Sequence, residues 1–137
     1  MELGTFGAIL GFALELEEQA AAFYDAPPQG DLKEVFKELA GESHKRLTRL
    51  ERARREGVAE MILESITGLD SGAYTVALDA GAGDAVRLDQ ALNLEETASR
   101  FYRDAAAKMP IREIVRLFER LAKENDRRKA RLQSVAA

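Results

Sequence analysis

Apolar and small residues recur every three or four positions along four stretches of the chain, the spacing of one buried helix face. We predict helices over about residues 5–26, 31–57, 84–108 and 110–134. Pro27 and Pro28 end the first helix, and Met109 with Pro110 turns the chain between the last two. The pattern predicts an all-α fold in a single domain covering residues 1–137.

The third helix repeats the first. ALELEEQAAAFY at residues 13–24 recurs as ALNLEETASRFY at residues 91–102, with eight of the twelve positions identical. Each copy places one carboxylate, Glu17 or Glu95, in the middle of an otherwise apolar stripe. A charge there is costly unless another group opposes it.

The fourth helix repeats the second, with corresponding positions 82 residues apart. Both stripes are apolar at their ends and polar in the middle. The polar pair is Ser43 and Arg46 in the second helix, and Asn125 and Arg128 in the fourth. The chain is therefore a duplicated helix pair.

Residues 58–83 separate the two pairs. Residues 58–66 have the pattern of a short amphipathic helix, and the rest is rich in turn residues. At about 3.3 Å per extended residue, the segment is long enough to return along the whole second helix. We therefore predict a ferritin-like four-helix bundle with a long crossover between helices two and three.

The halves resemble the rubrerythrin-like branch of the ferritin-like superfamily. In that family the first and third helices read E-x-x-A-x-x-F-Y, and the second and fourth read F-x-x-L-A-x-x-E-x-x-H. The first motif is matched by Glu17, Ala20, Phe23, Tyr24 and by Glu95, Ala98, Phe101, Tyr102. The start of the second is matched by Phe36, Leu39, Ala40 and by Phe118, Leu121, Ala122.

The resemblance ends at the metal ligands. In the family, a Glu from each of helices one and three and a Glu-x-x-His from each of the others hold two metal ions that do oxygen or peroxide chemistry. Here the Glu-x-x-His positions carry Ser43 with Arg46 and Asn125 with Arg128, so four of six expected ligands are absent. A guanidinium has no lone pair to give to a metal.

Two carboxylates and two guanidiniums are neutral together, as are two divalent ions with four carboxylates and two imidazoles. We therefore predict a central ion-pair cluster in which the arginines replace the metals and Ser43 and Asn125 take up the remaining hydrogen bonds. The pairing of arginines with glutamates is left open. The predicted cluster is Glu17, Ser43, Arg46, Glu95, Asn125 and Arg128.

The amino-acid composition limits the classes of partner and of metal centre that we expect for the chain. With 20 Lys and Arg against 24 Asp and Glu, the net charge of -4 predicts no general attraction to nucleic acid or anionic membranes. The chain has no cysteine, which excludes disulfides and thiolate metal centres within it. Arg49, Arg52, Arg54 and Arg55, toward the end of the second helix, could form an anion-binding patch, but cations favour a helix C-terminus and a solvated face explains them. The acidic Glu2 and the short apolar run after it lead us to expect a cytoplasmic protein.

Two classes of function follow. The favoured class is a non-catalytic, cofactor-free binding or structural module, and the sequence identifies no small-molecule ligand for it. It is expected to be a homo-oligomer, a dimer first, because the first helix is apolar on more than one face.

The alternative is an iron-dependent oxidoreductase or metal-binding protein that uses displaced carboxylates. Its ligand set would be Glu17, Glu18, Glu42, Glu95, Glu96 and Glu124. The single histidine, His44, lies on a different side of its helix from Arg46 and is expected at the surface.

Overall fold

The computed structural model describes residues 1–26, 28, 30–57 and 65–136. Its four α-helices are α1 (Phe6–Asp25), α2 (Leu32–Gly57), α3 (Asp84–Lys108) and α4 (Arg112–Ala136), with a short 3-10 helix at Ser71–Tyr74. Within these ranges, extended pairing is limited to one isolated bridge between Glu2 and Asp70. Over the described residues the fold is all-α with four helices, as the periodicity predicts. No helix in the described ranges is both long and apolar enough to cross a membrane.

The helix ends follow local capping. The Thr5 hydroxyl accepts a hydrogen bond from the Ala8 amide, which satisfies a free donor at the start of α1. Asp84 is the first residue of α3 and not its N-cap; Gly83 takes that place without a side-chain bond. The helix α4 begins two residues after Pro110, because the carbonyl of Ile111 accepts the first amides. Pro27 and most of the short helix suggested at 58–66 lie outside the described residues.

The helices pack in two pairs, α1 against α2 and α3 against α4, with further contacts between α2 and α4 and between α1 and α3. All four contribute to one hydrophobic cluster. The duplication is visible in its aromatic packing. The Tyr24 and Phe36 rings meet edge to face at 5.0 Å, and the equivalent rings of Tyr102 and Phe118 meet at 5.2 Å.

The segment before α3 packs on the outer side of α1 and α3. The Tyr74 ring lies 6.3 Å from the Phe12 ring and 5.2 Å from the Phe101 ring, and its hydroxyl donates to Asp104 at 2.5 Å. Ile9 and Leu16 are buried as well. The several apolar faces of α1 are therefore covered within the chain, which removes the reason for expecting a dimer through α1. The dimer stays a prediction without that support.

Arg87 is a buried cation at the start of α3. It donates to the carbonyl oxygens of Phe23, at 2.9 Å, and Ala26, which the end of α1 leaves without helical partners. Its guanidinium carbon lies 5.2 Å from the Phe23 ring centre and 5.0 Å from that of Phe36. Arg87 thus caps α1 from a different helix and connects the two halves of the bundle.

We expect Arg87→Ala to lower the free energy of unfolding by about 1.5–3 kcal/mol, because it removes charged donors from two carbonyls at the end of α1. Urea denaturation followed by circular dichroism measures the change. Arg116→Ala, the same substitution at an exposed site on α4, should stay within about 0.5 kcal/mol of the parent. Equal effects from the two variants would contradict the capping role.

Candidate functional site: a buried ion-pair cluster

Four charged side chains meet in the centre of the bundle, one from each helix. Glu17 of α1, Glu95 of α3, Arg46 of α2 and Arg128 of α4 are each no more than 2% exposed. Each lies in the middle of a stripe that is apolar at both ends, so helix packing carries the charge inside. Two carboxylates therefore face two guanidiniums in a water-poor environment.

Arg46 is the more completely bound arginine. Its Nη1 donates to Glu17 Oε2 at 3.1 Å and to Asn125 Oδ1 at 3.0 Å. Its Nη2 donates to the Leu121 carbonyl at 3.0 Å and to Glu124 Oε1 at 3.3 Å. The side chain consequently ties α2 to both α1 and α4.

Burial and charge act in opposite directions on the pKa of Arg46. Burial by itself lowers it, because leaving water disfavours the cation. The negative charges of Glu17, Glu95 and Glu124 outweigh burial and raise the pKa of Arg46 above its usual value. Arg46 is thus held as a permanent cation.

Arg128 occupies the equivalent place in the second half but is bound more loosely. Its Nη1 lies 3.7 Å from Glu95 Oε1, and its Nε donates to Glu42 Oε1 at 3.2 Å. Its Nη2 is buried without a partner among the described residues. The pairing is Arg46 with Glu17 and Arg128 with Glu95, each within one half of the duplication.

The two tyrosines of the repeat donate hydrogen bonds to the buried carboxylates. Each tyrosine binds the glutamate of the other half of the duplication. The Tyr102 hydroxyl donates to Glu17 Oε2, and the Tyr24 hydroxyl donates to Glu95 Oε2, both at 2.6 Å. Burial, and then the adjacent carboxylate, raises the pKa of each tyrosine well above its ordinary value. Both hydroxyls are therefore held in the neutral, proton-donating form.

The duplication is broken at Ser43 and Asn125. The Asn125 amide bridges the halves, since its Nδ2 donates to Glu95 Oε1 at 2.7 Å while its Oδ1 accepts from Arg46. Ser43 was expected to take up hydrogen bonds in the same way, but its buried hydroxyl has no partner among the described residues. A hydroxymethyl group is too short to reach where a carboxamide reaches. This difference leaves Arg128 with fewer acceptors than Arg46.

Glu42 and Glu124 form the rim of the cluster between α2 and α4. Each contacts a central arginine and an outer one: Glu42 meets Arg128 and Arg131, and Glu124 meets Arg46 and Arg49. Burial of Glu42 opposes its ionisation, but the charges of Arg128 and Arg131 outweigh it and lower its pKa. Each rim carboxylate thus forms ion pairs with one central arginine and one outer arginine.

The acidic set considered for a displaced metal site is not assembled. Glu18 and Glu96 face solvent, and Glu96 lies 3.7 Å from Lys129. Glu42 and Glu124 are engaged by arginines. The described part of the chain contains no group of three or more His, Asp or Glu side chains placed to hold a metal ion. His44 is exposed and contacts Asp25 at 2.8 Å.

The donor set does not fit a pair of metal ions. Of the six ligands that the resemblance implies, two carboxylates are present, and the two positions where it implies histidines carry arginines, which have no lone pair to give to a metal. No step of metal chemistry follows from these residues.

Three contributors were missed from the sequence. Arg87 was overlooked although it lies one turn before Ala91 on a buried side of α3. The crossed pairing of each tyrosine with the glutamate of the other half gives no signal within either repeat. The contact of Arg131 with Glu38 and Glu42 lies outside the inner stripes and requires knowledge of how α2 meets α4.

No protein-family model, curated protein or solved structure matches this chain. The assignment of the site therefore depends on its own geometry and on the repeated motifs.

Arg46→Ala should lower the free energy of unfolding by about 3–5 kcal/mol, because it leaves the buried carboxylate of Glu17 without its cation. Chemical denaturation gives the value. Arg49→Ala is a matched control on the same helix: Arg49 also contacts Glu124, but at a partly exposed site, so we expect a loss of about 0–1 kcal/mol. The variant Glu17→Ala/Arg46→Ala should lose less than the two single variants together. Additive losses would show that the two charges do not interact.

All three tyrosines should resist alkaline titration in the folded protein, because burial raises the pKa of Tyr24 and Tyr102 and raises that of Tyr74 to about 12. A raised folded pKa contributes stability that is complete below about pH 10 and is lost as the pH rises. With three Tyr and no Trp, tyrosinate absorbance reports these groups alone.

We expect little tyrosinate at about pH 10–11 in the folded chain and nearly full ionisation after denaturation. Tyr24→Phe should cost about 1–3 kcal/mol at neutral pH and reduce the alkaline loss of stability. Ionisation near pH 10 in the folded protein would contradict the buried hydrogen bonds.

Proposed function

We propose that this chain is a ferritin-like, rubrerythrin-like bundle in which glutamate–arginine ion pairs stand where the family holds two metal ions, and that it acts as a non-catalytic binding or structural module. One observation carries the proposal. Arg46 and Arg128, at the positions of the family's metal-binding histidines, are buried and directed at Glu17 and Glu95.

The order of contacts along the helices supports the ferritin-like topology. Glu17 meets Tyr102, whereas the later Tyr24 meets the earlier Glu95, so α1 and α3 run in opposite directions. The same reversal is expected within each pair, because short turns join α1 to α2 and α3 to α4. The helices α2 and α3 would then point the same way, and their connection would have to return along the bundle.

The chemistry of the centre supports a non-catalytic function. The hydroxyls of both buried tyrosines are already committed to carboxylates, and Arg46 makes four hydrogen bonds. No described group in the centre combines an available lone pair with a neighbour that could activate it. A centre of this kind aligns four helices, since each carboxylate is satisfied only when the helices are in register.

Iron loading tests the proposal. Purified protein is mixed with ferrous iron, exposed to air, passed through a desalting column and analysed for bound metal. We expect far less than one iron per chain and no oxo-bridge absorption, because arginines occupy the ligand positions. Stoichiometric iron with an oxo-bridge band would overturn the assignment.

A gain-of-site variant is the matched control. Ser43→Glu, Arg46→His, Asn125→Glu and Arg128→His together restore both Glu-x-x-His pairs opposite Glu17 and Glu95. If the bundle is ferritin-like, this variant should bind about two iron ions per chain. A folded variant, by circular dichroism, that binds no iron would contradict the proposed correspondence with the family. Should the variant not fold, iron loading of the parent still tests the ion-pair centre.

A further inference from the structure

A charged cavity lies between α2 and α4 at the outer side of the ion-pair cluster. Its volume is about 300 Å³, and five basic side chains line it against two acidic ones, Glu42 and Glu124. The lining has a net charge of three positive units, although the whole chain carries -4. The lining of the cavity therefore has a net charge opposite in sign to that of the whole chain.

Four of the five basic residues of the cavity form two pairs related by the duplication. Arg49 of α2 corresponds to Arg131 of α4, and Lys45 corresponds to Arg127, each 82 residues apart. Arg49 and Arg131 are engaged by the rim carboxylates. Lys45 and Arg127 also line the cavity, and neither forms an ion pair with any residue in the described ranges.

Arg128 adds a buried donor to the same wall. It is 2% exposed, and its Nη2 has no hydrogen-bond partner among the described residues. In its counterpart Arg46 both terminal nitrogens donate to acceptors, among them Asn125 and the Leu121 carbonyl, and Nε is the nitrogen without a partner among the described residues. A buried guanidinium nitrogen without an acceptor is costly, and an anion that supplies one recovers that cost.

We propose that the cavity between α2 and α4 binds a small phosphate-bearing anion. A guanidinium presents N–H groups in a fixed fork that matches phosphate oxygens, and an ammonium adds a compact charge. A volume of about 300 Å³ is at the lower end for small-molecule sites, which fits inorganic phosphate or a small phosphomonoester. The inference rests on the proposed function, since it names the ligand class of that binding module.

Isothermal titration of the metal-free protein with inorganic phosphate, at constant ionic strength, tests the inference. We expect one site per chain, and Arg127→Gln or Lys45→Gln should each raise the dissociation constant about tenfold, the effect of one charge-assisted hydrogen bond. Both residues are exposed, so the variants should fold like the parent. Arg116→Gln, on the same helix but outside the cavity, is the matched control and should leave binding unchanged.

Titration with glycerol phosphate separates the two sources of the phosphate group. Tighter binding than inorganic phosphate indicates a phosphomonoester, whereas weaker binding indicates the free ion; either supports the site. Absence of binding beyond that of chloride, or equal weakening by all three variants, overturns the inference. The iron experiment is independent: failure of phosphate binding with an iron-free centre rejects the ligand and leaves the ion-pair assignment intact.

Discussion

The bundle depends on burying two carboxylates. Neither Glu17 nor Glu95 is satisfied by its own helix, so each requires donors from other helices. Glu17 takes them from Arg46 on α2 and Tyr102 on α3. Glu95 is bound by α1 through Tyr24 and by α4 through Asn125. A shift of any helix along its axis would leave a buried charge without partners, which costs several kcal/mol. The apolar stripes supply most of the burial, and the carboxylates select one alignment of the helices.

The duplication gives this centre near-twofold order, with one departure from it. Glutamates, tyrosines, arginines and the aromatic rings around them all occur in matching pairs. Ser43 and Asn125 do not match, and the shorter side chain of Ser43 makes no hydrogen bond among the described residues. The Nη1 and Nη2 of Arg46 both have acceptors and its Nε has none, whereas in Arg128 the atom that lacks an acceptor is Nη2. Two arginines at equivalent positions thus differ in how their terminal nitrogens are bound.

Periodicity predicted the direction of each side chain around its helix axis. It did not predict the position of that side chain along the bundle relative to side chains on other helices. For this reason the composition of the centre was accessible from the repeated stripes, whereas the crossed bonds from Tyr24 to Glu95 and from Tyr102 to Glu17 were not. The hydrogen bonds from Arg87 to the end of α1 also depend on the relative positions of two helices along the bundle axis. The cover over Phe12 of α1 is not accessible from the repeats for a related reason: the segment carrying Tyr74 supplies it, and its position does not follow from any helical period.

The central arginines connect the buried centre of the bundle to its surface. A guanidinium has five N–H donors that point in several directions. Arg128 uses Nη1 toward the internal Glu95 and Nε toward the rim carboxylate of Glu42. Glu42 in turn holds Arg131 at the cavity. The internal charges therefore orient the groups that line the outer cavity, and a group bound there would be linked through Arg128 to the alignment of all four helices.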